Sequence, residues 1–148
     1  MELDNTDKQI INLLVDNSKL SYRDVAKNVK ISAATALNRI KRLEKEGVIE
    51  KFTIKIDHEK MGYDLGIMIE VRISKGNQIN VEKKIGNHPN VISVYDLTGD
   101  FDAVIFARFK NRRSMDAFIK KIQTYDFIER TNSRLILNVI KKKEVYLQ

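Results

Sequence analysis

Apolar side chains recur at helical spacing over the first 47 residues, alternate over the next ten, and from residue 63 fall into a repeating strand and helix order. The best-marked helix spans 32–46. At 100° per residue it gathers Ala33, Ala36, Leu37, Ile40 and Leu43 on one face, with Glu44 at the border. The opposite face carries Ala34, Thr35, Asn38, Arg42 and Lys45, flanked by Arg39 and Lys41. Ser32 is a good N-cap because its hydroxyl can accept from an unpaired first-turn amide, and Gly47 can take the left-handed conformation that ends a helix. Lys41, Arg42 and Lys45 lie toward the C-terminal end, where positive charge suits the helix dipole.

A shorter helix at 21–28, capped by Ser21 with Asp24 three residues on, is separated from it only by Val29, Lys30 and Ile31. So tight a turn forces a steep crossing, as in a helix-turn-helix, with Ala26 small enough for close approach and Val25, Val29, Ile31 and Leu37 filling the angle. Asp4 caps a first helix with Asp7 three residues on, and Ile10, Ile11, Leu14 and Val15 continue the same core. Residues 48–56 alternate like a strand and 57–62 break as a loop, which makes this stretch the wing and linker.

Beyond it, 65–73 alternates Ile67, Ile69, Val71 and Ile73 against Met68, Glu70 and Arg72; 77–87 is helical and ends at the only proline, Pro89. Strands at 91–98 and 101–109 are joined by a tight Thr-Gly-Asp turn, Ser114 caps a further helix, and 131–140 is the last strand. The fold class is therefore α+β: an N-terminal three-helix helix-turn-helix domain (1–50), a strand linker (51–62), and a ferredoxin-like βαββαβ domain (63–148). Met68, Ile92, Val94, Val104, Phe106 and Ile136 add more apolar surface than two helices can cover, so a second sheet, and hence a homodimer, is the expected partner.

Composition narrows the function. The chain has 148 residues and no cysteine, which removes disulfides, thiol catalysis and cysteine metal sites. No stretch approaches the roughly 20 apolar residues of a membrane span and the first residues are acidic, so a soluble, cytoplasmic protein without a membrane partner is expected. His58 and His88 read as two solvated imidazoles in loops rather than a metal pair. The net charge is +7, and between Lys19 and Arg42 seven basic residues face one acid, Asp24. Converging cations favour phosphate, because displaced counterions supply sequence-independent affinity. From spacing alone, a plain helical hairpin on a basic surface competes with DNA binding.

At these same residues the chain carries a specific family resemblance. LSYRDVAKNVKISAATALNRIKRLEKEGVIEKF, preceded by LDNTDKQIINLLVDN, resembles the DNA-binding domain of the Lrp/AsnC, or feast/famine, regulators. The likeness holds at Leu3, Asp4, Asp7, Ile10, Leu14, Val25, Ala26, Ser32, Arg39, Ile40, Arg42, Leu43, Glu44 and Gly47 to Ile49; it departs at Lys30, where the family has Gly, and at Ala33, where Pro is common. The strand order resembles the family's C-terminal module for effector binding and assembly. In the family the β-turn carries G-x-x-D, matched by Gly99 and Asp102, and helps form an amino-acid site between subunits. Read from the residues alone, the same stretch is a tight hairpin turn.

The expected function is a sequence-specific DNA-binding transcriptional regulator that responds to an amino acid or related metabolite. Ser32, Ala34, Thr35, Asn38, Arg39, Lys41, Arg42 and Lys45 are the expected DNA contacts on a pseudo-palindromic duplex site. Thr98, Gly99, Asp100 and Asp102 are the expected effector contacts, with Thr131 and Ser133 carried over from the family's hydroxyl positions. The homodimer is expected to join into larger rings, as in the family. No cofactor and no metal is expected. The alternatives are an effector-independent architectural DNA-coating protein, and an enzyme built on Asp100 and Asp102. The enzyme is disfavoured because no loop pairs a nucleophile with a His or offers a glycine-rich phosphate cradle. An RNA-binding reading, from the loose similarity of GDFDAVIFARF to an aromatic third-strand motif, fails on parity, since Phe106 faces away from Phe101 and Phe109.

Overall fold

The structure is a computed structural model that describes residues 2–74, 76 and 78–148. The chain forms two compact units, one of residues 1–55 together with 141–148, the other of 56–140.

The first unit holds α1 (Asn5–Asp16), α2 (Tyr22–Val29) and α3 (Ala33–Lys45). Each starts as its cap residue dictates: Asp4 accepts from the Asp7 amide, Ser21 from Asp24 and Ser32 from Thr35, and the first two caps are closed into full capping boxes by Asp7 and Asp24. Ile10, Leu14, Val25, Ala26, Ala36, Ile40 and Leu43 form one buried cluster, so the three short helices stabilise one another by shared burial rather than by propensity. Lys30 ends α2 at φ 59°, the only non-glycine residue in the left-handed region among those described. A Lys side chain costs about 1 kcal/mol in this conformation relative to Gly. Gly47 closes α3 at φ 72°, as expected.

The second unit contains β1 (Leu65–Ile73), α4 (Gln78–Val81) running into a π-helical turn at Glu82–Gly86, β2 (Val91–Asp96), β3 (Ala103–Phe109), α5 (Arg112–Gln123) and β4 (Ile128–Ile136). The four strands are antiparallel in the order β2-β3-β1-β4, the ferredoxin-like topology. One face is core: Ile67, Ile69, Val71 and Ile73 of β1 and Ala103, Ile105, Ala107 and Phe109 of β3 pack with Val81, Ile85, Phe118 and Ile122. On the other face β1 presents Met68 opposite Phe106 and Glu70 opposite Val104, and the Tyr95 ring meets Phe106 edge-on at 6.2 Å.

Several local expectations change. Register slips between Val91 and Ser93 in β2, which places Val94 opposite Ile105 on the core face and Tyr95 opposite Val104 on the open face. Val94 therefore does not share a face with Met68, because a bulge reverses the alternation that simple parity assumes. Asn111, not Ser114, caps α5, accepting from the Ser114 amide at 2.9 Å, while the Ser114 hydroxyl donates back to the Asn111 carbonyl. The last strand runs Ile128–Ile136, earlier than the alternation implied. Residues 51–57 form no ladder within the described chain and leave Phe52, Ile54 and Ile56 exposed. Residues 141–148, grouped with the sheet by the sequence reading, pack with the helices.

Candidate functional site

The helix-turn-helix face is built by α3. Its buried side, Ala36, Ile40 and Leu43, fixes which side looks outward, and Ala34, Asn38, Lys41 and Lys45 then form one exposed stripe at i, i+4, i+7 and i+11, with Arg42 beside it. Ser32 and Thr35 lie exposed at the N-terminal end, but their hydroxyls are 2.8 Å apart and the Ser32 oxygen accepts the Thr35 amide at 3.0 Å. Both are thus engaged in capping.

The two arginines behave differently from the rest of the set. Arg39 Nη1 donates to Asp4 Oδ2 at 2.6 Å and to Asp7 Oδ1 at 2.9 Å, and Arg42 Nη2 donates to Asp7 Oδ2 at 2.5 Å. Asp7 is only 1% exposed, so two guanidinium groups from α3 close over a buried carboxylate at the start of α1. The hydrogen bond from Arg39 holds the Asp4 carboxyl below its ordinary pKa, and the two aspartates hold Arg39 above its own. Arg39 is therefore placed as a clamp between helices rather than as a free reader of bases. Arg42, with its side chain 45% exposed, keeps a solvent-facing edge. The sequence reading assigned Asp7 to the cap alone and missed this second role. A signal existed: Arg39 has no acid three or four residues away on its own helix, where Thr35, Ala36, Arg42 and Leu43 stand.

The proposed effector turn is well formed. Gly99 has φ 111° and Thr98 and Asp100 are exposed. Asp102 is tied into the sheet: its Oδ2 accepts the Ile73 amide at 2.7 Å, its own amide donates to the Val71 carbonyl at 3.0 Å, and its carbonyl accepts from Leu97 at 2.8 Å. Arg72 Nη1 donates to the Asp100 carbonyl at 3.2 Å. Asp102 thus extends the β1 to β3 pairing, a structural duty the sequence did not reveal. Thr131 and Ser133 pair opposite Val71 and Ile69 on the other side of β1, and Thr131 Oγ1 accepts from Gln123 Nε2 at 3.1 Å. Within one chain, β1 separates those hydroxyls from the turn.

Among the described residues no group of His, Asp and Glu is placed to hold a metal ion, and no helix is long and apolar enough to cross a membrane. His88, expected as a solvated imidazole, is half-buried with its ring tilted 53° against Phe118 at 4.6 Å, where burial and the neighbouring Lys121 lower its pKa.

Residues 3–50 match the winged helix-turn-helix DNA-binding family, and residues 67–146 match the Lrp/AsnC ligand binding domain. An uncharacterized HTH-type transcriptional regulator of Pyrococcus furiosus is 39% identical over 143 residues, 96% of either chain. The HTH-type transcriptional regulator LysM of Saccharolobus solfataricus is 33% identical over 138 residues, covering 91% of this chain and 94% of that one. Among solved structures, a Neisseria meningitidis transcriptional regulator in complex with L-methionine superposes with TM-score 0.91 at 25% identity, over 99% of this chain and 97% of that one. AsnC of Escherichia coli superposes with TM-score 0.91 at 24% identity, over 99% of this chain and 100% of that one. These relatives are transcriptional regulators, and the chain is a member of the Lrp/AsnC family, a DNA-binding transcriptional regulator with a ligand-binding domain.

Proposed function

We propose that the protein reads a specific pseudo-palindromic operator as a homodimer and that an amino acid or related metabolite tunes that binding. The observation that carries the reading is the exposed stripe Ala34, Asn38, Lys41 and Lys45 on a helix whose ends and orientation are fixed by Ser32, Gly47 and the Asp7 clamp. Ala34 leaves room for a base edge, Asn38 has the donor and acceptor pair that matches adenine, and Lys41 and Lys45 suit phosphate. Ser32 and Thr35 contribute through the first turn, and Arg42 reaches phosphate from its exposed edge. Arg39 acts behind the surface. Selection from a random duplex pool tests this: Asn38→Ala relaxes base preference at one position per half-site by about 1–3 kcal/mol, whereas Lys45→Ala weakens all sequences alike. Unchanged preference in Asn38→Ala would remove the assignment.

For the effector, the proposed contacts are Thr98, Gly99, Asp100 and Asp102, with Thr131 and Ser133 supplied across a subunit boundary. The support is the ligand-binding domain match and the L-methionine bound by the Neisseria regulator. Turn amides can meet a carboxylate and a carboxylate can hold an ammonium group. One carboxylate oxygen of Asp102 is already engaged by Ile73, which favours the effector-independent architectural reading as the alternative. Calorimetry against the twenty amino acids separates them. At least one binder is expected, with at least tenfold loss in Asp102→Asn, a variant that keeps an acceptor for the Ile73 amide while removing the charge. No binder, or an unaffected variant, supports the architectural reading.

A further inference from the structure

The last eight residues, KKKEVYLQ, belong to the DNA-binding unit although they follow the sheet in sequence. They are held there by specific contacts. The Asn12 side-chain amide on α1 makes two hydrogen bonds with the Leu147 backbone, donating to its carbonyl at 3.0 Å and accepting its amide at 2.9 Å, as a neighbouring strand would. Tyr146 donates its hydroxyl to Asp16, one turn further along α1, and Lys55 Nζ donates to the Lys142 carbonyl at 3.1 Å. Asn12 and Asp16 are four apart and so share one face of the helix.

This arrangement carries charge with it. Residues 1–55 contain eleven Lys and Arg against eight Asp and Glu, a modest excess for a unit that must bind a polyanion, and the segment adds Lys141, Lys142 and Lys143 against Glu144 alone. All three lysines are exposed, and none makes an ion pair among the described residues. Anchoring at Tyr146 and Leu147 leaves their side chains unengaged while their backbone is fixed next to Lys55. Cations held in place on a DNA-binding unit and without acidic partners are suited to phosphate.

We infer that the C-terminal segment is a working part of the DNA-binding unit: Tyr146 and Leu147 dock it on the Asn12 and Asp16 face of α1, and Lys141 to Lys143 contact the phosphate backbone of bound duplex. The ligand is the sugar–phosphate chain of double-stranded DNA, with no base read. Each phosphate neutralised steepens the dependence of log affinity on log salt by about 0.9.

The test uses the full chain on two 30-base-pair duplexes, one selected and one of random sequence, with salt varied. Replacing Lys141, Lys142 and Lys143 together by Gln is expected to reduce the salt slope by between about 1 and 3 and to weaken both duplexes by the same factor, leaving the ratio between them unchanged. A salt slope equal to that of the parent chain overturns the phosphate contact. The double variant Asn12→Ala with Tyr146→Phe keeps every lysine and is expected to lose a comparable part of the slope; if it binds like the parent, docking on α1 is overturned. Melting of each variant by circular dichroism guards against unfolding. A change in the ratio between the duplexes would place the segment on bases instead and also overturn the inference. These results are separable from the reading of Asn38, which moves the ratio and not the slope.

Discussion

Replacing Asp7 by Ala is expected to destabilise the helical unit by about 3 kcal/mol and to abolish operator binding at temperatures where the sheet unit remains folded. Breaking a buried ion pair costs about 3–5 kcal/mol because the surviving charges lose their compensation, and the lower end applies here since both arginines reach water. The variant also loses the capping-box partner of Asp4. Arg39 and Arg42 would then repel each other across one turn of α3, so the recognition face loses orientation as well as stability. Asp7→Asn should fall between the two, because it retains an acceptor for the cap but not the charge. Urea unfolding followed by circular dichroism, with operator binding measured in parallel, checks both parts; a midpoint for Asp7→Ala within error of the parent chain contradicts the clamp. Acid bears on the same cluster. Arg39 holds the Asp4 carboxyl below its ordinary value of 3.8. A carboxyl depressed on folding contributes fully above its unfolded pKa and loses that contribution as pH falls through the depressed value, so the Asp4–Arg39 bond persists in mild acid and is lost only at strongly acid pH.

A second large effect is expected from the open face of the sheet. For the proposed homodimer, Phe106→Glu should give a monomer and reduce affinity for a two-half-site duplex by at least about a hundredfold. Met68, Val104, Phe106 and Tyr95 lie together on that face, and a carboxylate placed among them would be desolvated against a second sheet. The folded monomer should tolerate the change, because Phe106 points away from the cluster of Phe109, Ile105 and Phe118. Sedimentation at micromolar concentration without DNA decides the matter: a variant that associates like the parent chain places the interface elsewhere.

The ends of the first three helices were legible because capping is local chemistry. Asp4, Ser21, Ser32 and Gly47 act where a short window of sequence implies, and even the strained Lys30 follows from the tightness of the turn. The order of strands and helices was legible for the same reason. What escaped depends on partners distant in sequence. The bond from Arg39 to Asp7 escaped because a helical wheel cannot display an acid 32 residues away. The acceptor duty of Asp102 escaped because it is owed to Ile73, 29 residues earlier. Val94 was placed on the wrong face by a single bulge, and no periodicity announces that Leu147 meets Asn12 across 135 residues.

The division of the chain into 56–140 and a unit assembled from both ends has a consequence for biosynthesis. The three helices leave the ribosome before the sheet, yet segment 141–148, which joins their unit, is translated after it. Domains fold as units during synthesis, so the sheet unit has its full sequence while the helical unit still lacks eight residues. The sheet unit can therefore fold while Asn12 and Asp16 on the first helix still lack Leu147 and Tyr146, and the helical unit gains these contacts only after the sheet has been made.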